Sequence, residues 1–338
     1  MLKKLSEIPG VWRFIDKAPN GAIYFISPEK ELCQFSDSEF KIIKNGIKCE
    51  IAEPWSGGYV INEQLFFNTK NVKPLLDTNI YKKQIIDNDS LVVKKIDFEK
   101  EEIIYGVFRK SQRNIEWIEL ANKKHIQLFV NNDCIISTSE DMIYGDTSNG
   151  DSIWNHSLSN LLDIYNSSLT NNFILIRDKL MIQVYDGKQG SLFIIDLNSG
   201  KIHKVLDGFR RFVYQDGENI FTTRFENILC KLNIESFEFE NWDVNELIKG
   251  NGFNSIHDHR SLCFQDMFYF TETLGDTKAK FGVLDIVNKK LLFKYDFRPE
   301  NGGISTIQKV GNTIYICTKD NTLHIFENNE MATMYKKT

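Results

Sequence analysis

The chain has 338 residues, 42% of them hydrophobic, with 46 acidic against 41 basic side chains and a net charge of −5. That apolar content supplies a sizeable core, and the near balance of charge gives no electrostatic reason to bind nucleic acid. No run of about 20 apolar residues is present, which excludes a membrane-spanning helix.

The chain opens MLKKLSEIPGVWRFIDK, where Ser6, Glu7, Arg13 and Asp16 interrupt the apolar run that an export signal needs. Cys33, Cys49, Cys134, Cys230, Cys263 and Cys317 lie far apart with no C-x-x-C pair. Several sit in apolar strands, as free thiols do, so the expectation is a cytoplasmic chain with reduced cysteines.

The first strand-rich unit covers residues 12–44 as WRFID, AIYFIS, ELCQF and EFKIIK, with turns at Pro19-Asn20-Gly21 and Ser36-Asp37. A shorter unit, GYVI, QLFFNT and VKPLL over residues 58–76, reads as lacking its outer strand. KKQII, SLVVKKI, EIIYGVF and NIEWIEL follow over residues 82–120. HIQLFV then opens a fourth unit that continues through CIISTSED, MIYGDTSNG and DSIWNHSL to Leu158. From there the pattern is clearest, in residues 179–206, 219–244, 267–297 and 313–337, the last ending in EMATMYKK. Each copy is an apolar strand, a polar turn, a second apolar strand, a turn rich in Asn, Gly or Lys, and a third strand carrying aromatics. Residues 157–169 and 242–250 have near-helical spacing and read as short helical turns or loops between units.

A repeat of roughly 40 residues built from short strands marks a β-propeller blade. The expected fold is all-β: a single β-propeller over residues 1–338, made of four-stranded antiparallel blades. The count is seven or eight, with eight units read and seven if the short one near Gly58 merges with its neighbour.

Two segments, Ile195-Asp196-Leu197-Asn198-Ser199-Gly200-Lys201 and Gly150-Asp151-Ser152-Ile153-Trp154, end a strand on a polar turn and start a strand that carries Trp in the second. In this the chain resembles the quinoprotein-like propeller repeat, over about five of the eight units. The resemblance implies a fold and no cofactor. Dehydrogenases of that superfamily carry an export signal, an adjacent Cys-Cys pair and a calcium-binding Glu–Asn–Asp set, and this chain has neither the signal nor adjacent cysteines. WD-repeat proteins are the other comparison, but of their dipeptides only Trp242-Asp243 is present.

Candidate chemistry is sparse. His257-Asp258-His259-Arg260 holds a His-x-His pair able to chelate zinc or copper on an extended strand, but no Cys or Glu stands at metal-site spacing, so the reading is a polar loop. Residues 146–151 lack the bidentate Glu of a calcium loop, and no Lys-Ser/Thr follows Gly57-Gly58 or Gly302-Gly303 as a phosphate loop requires. No G-x-S-x-G elbow and no Ser–His–Asp set stand out. Trp12, Trp117, Trp154 and Trp242 fall in strands and read as packing between blades. Trp55, in Glu53-Pro54-Trp55-Ser56-Gly57-Gly58, reads as part of a connection, exposed or plugging the space beneath it.

In a propeller the connection between blades shares a face with the turn between a blade's second and third strands. The long connections 45–57, 157–172, 243–261 and 298–303 therefore gather Trp55, Tyr165, Arg210, Arg211, His257, His259, Arg260, Arg298 and Glu300 at one mouth, where binding residues concentrate. The expectation is a non-catalytic scaffold that binds a protein partner as an adaptor, sensor or inhibitor, with no cofactor, metal, nucleic acid or membrane. The alternative is an enzyme or a small-ligand or carbohydrate binder at the central channel, which for glycoside chemistry needs two carboxylates about 5–10 Å apart. The polar connection 243–261 is far longer than the roughly 2–6 residues a plain link needs. It is predicted to contribute His257, His259 and Arg260 to the partner surface.

Overall fold

Eight four-stranded antiparallel sheets form an eight-bladed β-propeller. The computed structural model describes residues 2–43, 48–68, 72–118, 127–131, 134–139, 142–147, 150–157, 160–161, 168–185, 190–217, 219–224, 227–257, 260–273 and 278–328.

The blades divide between two compact units. Residues 52–211 hold four of them. Blade 2 is Ala52–Trp55, Gly58–Ile61, Leu65–Phe67 and Val72–Pro74, and blade 3 is Ile80–Ile85, Ser90–Asp97, Glu102–Arg109 and Asn114–Ile118. Blade 4 is Gln127–Asn131, Cys134–Ser139, Met142–Thr147 and Ser152–Ser157, and blade 5 is Ser168–Ile176, Lys179–Tyr185, Gly190–Asp196 and Ile202–Asp207. Residues 1–51 and 212–338 hold the rest, with the first strand of blade 6 running across the boundary. Blade 1 is Arg13–Lys17, Ile23–Ile26, Leu32–Ser36 and Glu39–Ile42, and blade 6 is Phe209–Asp216, Asn219–Arg224, Ile228–Asn233 and Phe239–Asp243. Blade 7 is Ser261–Phe264, Met267–Thr273, Ala279–Asp285 and Lys290–Asp296. Blade 8 is Ile304–Val310, Thr313–Thr318 and Thr322–Asn328, completed by Leu2–Pro9.

Burial follows strand position. Second strands such as Ile23–Ile26 and Thr313–Thr318 are buried throughout, because neighbours cover both faces, so they read as continuous apolar runs. The outer strand Lys290–Asp296 alternates exposed and half-buried residues. Side chains at the turn into the outer strand fix the geometry. Asp196 Oδ1 accepts the Ser199 amide at 2.9 Å, Asp285 Oδ1 accepts the Asn288 amide at 2.8 Å, and Asn233 Oδ1 accepts the Ser236 amide at 3.1 Å. These are Asx turns, in which a short polar side chain replaces a backbone partner. Each closes on a left-handed residue, Gly200 at φ 68°, Lys289 at 52° and Phe237 at 56°.

Three readings are corrected and one is borne out. Blade 2 has its outer strand, Val72–Pro74; the strand missed was the inner one, Ala52–Trp55, whose Pro54 is tolerated on a sheet edge. Blade 5 begins with a strand at Ser168, inside the segment read as helical turns or loop, while residues 162–167 lie outside the described residues. The short helix at 242–250 is present, as α1 (Asn245–Gly250). Finally, the outer strand of blade 8 comes from the other end of the chain. Leu2–Pro9 pairs antiparallel with Thr322–Asn328, from Leu2 opposite Asn328 to Pro9 opposite Thr322, and EMATMYKK lies outside the described residues. The pairing covers an edge that would otherwise present unpaired backbone groups.

Candidate interaction surface

Of the nine residues expected at one mouth, Trp55 is misplaced. Ser56 and Gly57, at φ 50° and 74°, form a two-residue hairpin between the first and second strands of blade 2. That turn lies at the opposite end of the blade from the second-to-third turn, and Trp55 is buried at 3% exposure. Its Nε1–H donates to the Asp87 carbonyl at 2.8 Å, and its ring packs against Phe66 and Phe108. It fastens blade 2 to blade 3. Arg210 and Arg211 stand in the first strand of blade 6, Phe209–Asp216, and their side chains lie outside the described residues, as do Tyr165 and His259.

The connection 244–260 is built from its apolar residues upward. Val244, Ile248, Phe253 and Ile256 are all buried and join Phe268, Phe270 and Leu284 of blade 7 in one cluster. Glu272, with no exposed surface, accepts the amides of Asn254 at 2.6 Å and Ser255 at 3.1 Å, and Lys280 Nζ stands 3.4 Å from its other oxygen. Asn227 Oδ1 accepts the Ile256 amide at 2.9 Å. Thr271 closes the far end: its carbonyl accepts the His257 amide at 2.8 Å and its hydroxyl donates to the Arg260 carbonyl at the same distance. His257 and Arg260 are half-buried, and burial pulls the Arg260 pKa down. The segment therefore packs as part of the core, and its outer side shows Asp243, Glu246, Lys249, Asn251, Asn254 and Ser255.

Arg298 and Glu300 are exposed beside the short turn Pro299–Asn301, and Arg298 Nη2 donates to Glu7 Oε2 at 2.9 Å. Behind them lies a network that sequence reasoning missed. Asp320 accepts from Thr318 Oγ1 at 2.6 Å, Thr322 Oγ1 at 2.9 Å and Asn301 Nδ2 at 2.9 Å. His324, wholly buried, has Nε2 3.0 Å from Thr318 Oγ1 and Nδ1 3.4 Å from Glu7 Oε1. Burial, then the charge of Lys4, pushes its imidazole down to about 4, while Glu7 acts the other way. The signal was available as Thr318-x-Asp320-x-Thr322-x-His324, polar residues at every second position.

Glu7, His324 and Thr318 line up as carboxylate, imidazole and hydroxyl, the order of a nucleophilic triad. The hydroxyl is 1% exposed and already donates to Asp320, so it has no path to a substrate. Lys82 is a second buried titratable group. Burial, then Lys83 and Lys94, lowers it to about 8, the behaviour of a candidate nucleophile, but it is 5% exposed and its ammonium is paired with Glu53. Among the described residues no three His, Cys, Asp or Glu side chains gather as a metal site, and no helix is long and apolar enough to cross a membrane.

The blades described above match known propellers in fold. The computationally designed protein Ika8 is 11% identical with a TM-score of 0.63, covering 96% of this chain and 98% of that one. Saccharomyces cerevisiae Sqt1 is 9% identical with a TM-score of 0.61 over the same shares. The C-terminal WD40 domain of Sif2 is 10% identical with a TM-score of 0.63, covering 97% and 98%. At such identities the likeness shows the fold alone. No family model matches the chain, and no curated protein matches it in sequence.

Proposed function

We propose that this propeller is a non-catalytic scaffold that binds a protein partner, as an adaptor, sensor or inhibitor, through the connection-bearing ends of its blades. The observation that carries this reading is the connection 244–260. Four buried apolar side chains and the Glu272 and Asn227 clamps hold it in one shape while its outer side remains charged and amide-rich. A preordered polar loop on a rigid scaffold meets a partner without a further cost of ordering. The commitment of Thr318 and Lys82 to internal partners supports the non-catalytic part. The fold likeness to a WD40 domain is consistent with the same reading. The Asx turn at Asp196 and the Trp154 contact beside it support a quinoprotein-like repeat. The buried thiols of Cys33, Cys49 and Cys317 support a reducing compartment and hence the cytoplasm.

The test is capture of partners from the native host by the intact chain, compared with a Glu246→Lys/Lys249→Glu/Asn254→Ala variant. All three residues are exposed, so folding should be kept within about 0.5 kcal/mol per site. A reproducible protein retained by the native chain and lost by the variant supports the reading. Equal capture by both, or turnover of a small substrate by the purified chain, overturns it.

A further inference from the structure

The outer strand of each blade is the edge of its sheet, and its backbone groups are open to another chain unless something guards them. Most blades carry a guard. The register breaks between the third and fourth strands of blades 4, 5 and 7, at Gly145/Asp146, Ile194/Ile195 and Val283/Leu284, and within Leu2–Pro9 of blade 8 at Lys4/Ser6. Such bulges twist an edge out of the flat form that a further strand needs. Lys41 stands in the edge strand of blade 1, and Pro74 ends that of blade 2. The edge strands of blades 3 and 6, Asn114–Ile118 and Phe239–Asp243, have no lysine, no proline and an unbroken register.

Charge sets blade 6 apart from blade 3. Between Lys231 and Lys249 lie Glu235, Glu238, Glu240, Asp243 and Glu246, all exposed, and no basic residue, whereas the edge strand of blade 3 has Glu116 alone. The backbone of the blade 6 edge is aimed for pairing. The Asn233 amide donates to the Glu238 carbonyl at 2.9 Å, and the Val244 amide to that of Asn227 at 3.4 Å. In the alternation of an antiparallel ladder, Glu240 and Trp242 therefore turn their backbone groups inward, and Asn241 and Asp243 turn theirs out along the edge. The side chains alternate as well. Glu238 and Glu240 fall on one face of the strand, and Phe239, 40% exposed, falls on the other.

We propose that this edge receives an extended, basic segment of a partner protein as a fifth strand of blade 6. The inference rests on the protein-binding reading above, whose connection starts at Val244 directly after this strand, and it names the chemistry of the partner. In strand addition, main-chain pairing supplies the affinity and alternate side chains the specificity. The segment that fits sets Lys or Arg against Glu238 and Glu240 and an apolar residue beside Phe239, alternating along its length. A second copy of the same edge does not fit, because it lays carboxylate against carboxylate.

The test is a titration of the isotope-labelled full chain with the peptide acetyl-Lys-Val-Lys-Val-Lys-Val-amide, with acetyl-Glu-Val-Glu-Val-Glu-Val-amide as control. Saturable amide shifts are expected along residues 238–243, with a Kd on the order of millimolar for so short a peptide. The control should bind about tenfold more weakly. Hydrogen exchange at the Asn241 and Asp243 amides should slow by about tenfold at saturation, a change that charge attraction without backbone pairing does not produce. Asn241→Pro removes an outward N–H while sparing the ladder of blade 6, and should weaken the basic peptide about tenfold. Glu238→Lys/Glu240→Lys, at two exposed positions, should reverse the preference between the peptides. No saturable shift, or binding that leaves exchange at Asn241 and Asp243 unchanged, overturns the proposal whether or not the proline variant folds. Partner capture kept by a folded Asn241→Pro chain but lost in the connection variant sinks the edge as the contact and leaves the scaffold. Peptide pairing by a chain that captures no partner sinks the scaffold reading alone.

Discussion

The indole N–H of Trp154 donates to the carbonyl of Leu197 at 2.7 Å, fastening the outer strand of blade 4 to the Asx turn of blade 5. Gly145 and Gly200 lie against the two sides of that indole, where a Cβ on either would collide with it. His156 completes the contact, its Nε2 2.7 Å from the Gly200 carbonyl. Both glycines and the tryptophan therefore form one joint.

Removing the ring should cost more than removing its hydrogen bond. Trp154→Ala is expected to destabilise the chain by about 3–5 kcal/mol through the cavity it leaves, and Trp154→Phe by roughly 1–2 kcal/mol. Gly200→Ala should match the larger figure, since it adds a clash to a left-handed backbone at φ 68°. Urea denaturation midpoints of the three variants check the order, and a Phe variant as damaging as the Ala variant would contradict it.

His324 predicts a pH dependence with a definite sign. Its pKa is about 4 in the folded chain, against roughly 6.5 when unfolded. Between these values the unfolded chain binds a proton that the folded chain refuses, so stability is full above pH 6.5 and falls as the pH drops toward 4. The loss is roughly 3 kcal/mol once complete. His324→Asn should flatten the curve over this window, although it costs stability at neutral pH by loosening the contact with Thr318. Denaturant midpoints of both proteins at pH 7.5 and pH 5 provide the measurement, and an equal drop in the two rules out His324 as the source.

The third prediction concerns Glu272. Its carboxylate holds the amides of Asn254 and Ser255 inside the structure, and Glu272→Ala leaves both without an acceptor. The expected cost is about 2–4 kcal/mol. Because Phe253 and Ile256 still anchor the segment, the opening should be local. Hydrogen exchange is expected to accelerate at residues 253–257 first, with blades 1 and 8 unaffected. Uniform acceleration throughout would mean that the carboxylate supports the whole unit.

The repeat was legible because its signals are local. Asp196 and Ser199 make their own turn within four residues, and the second strands are rich in buried apolar residues, so the second to fourth strands of blades 4 to 7 could be read directly. Trp55 was misread because Glu-Pro-Trp before Ser-Gly-Gly has the composition of a link, whereas Pro54 is permitted by its place on an edge strand. Leu2–Pro9 was hidden for a different reason: only Leu2 and Ile8 are buried, so its polar face masks a strand whose partner lies at the other end of the chain. The Asp320 network escaped for the same reason, since Glu7, Asn301 and His324 come from separate segments. Length alone correctly marked 243–261 as unusual, but not that Val244, Ile248, Phe253 and Ile256 would turn inward.

The strand Leu2–Pro9 also sets an order of events. It is synthesised before blades 1 to 7, yet its hydrogen-bonding partner, Thr322–Asn328, is synthesised after them. Blades 1 to 7 have all their strands in sequence and can close as they appear; blade 8 waits for the two ends to meet. The contact spans nearly the whole chain, the kind of non-local pairing that slows folding. During that interval Leu2–Pro9 waits without its strand partner, and afterwards blade 8 carries an open edge until that strand arrives. A tag or fusion placed directly before Leu2 would therefore act on the final step of folding rather than on the first.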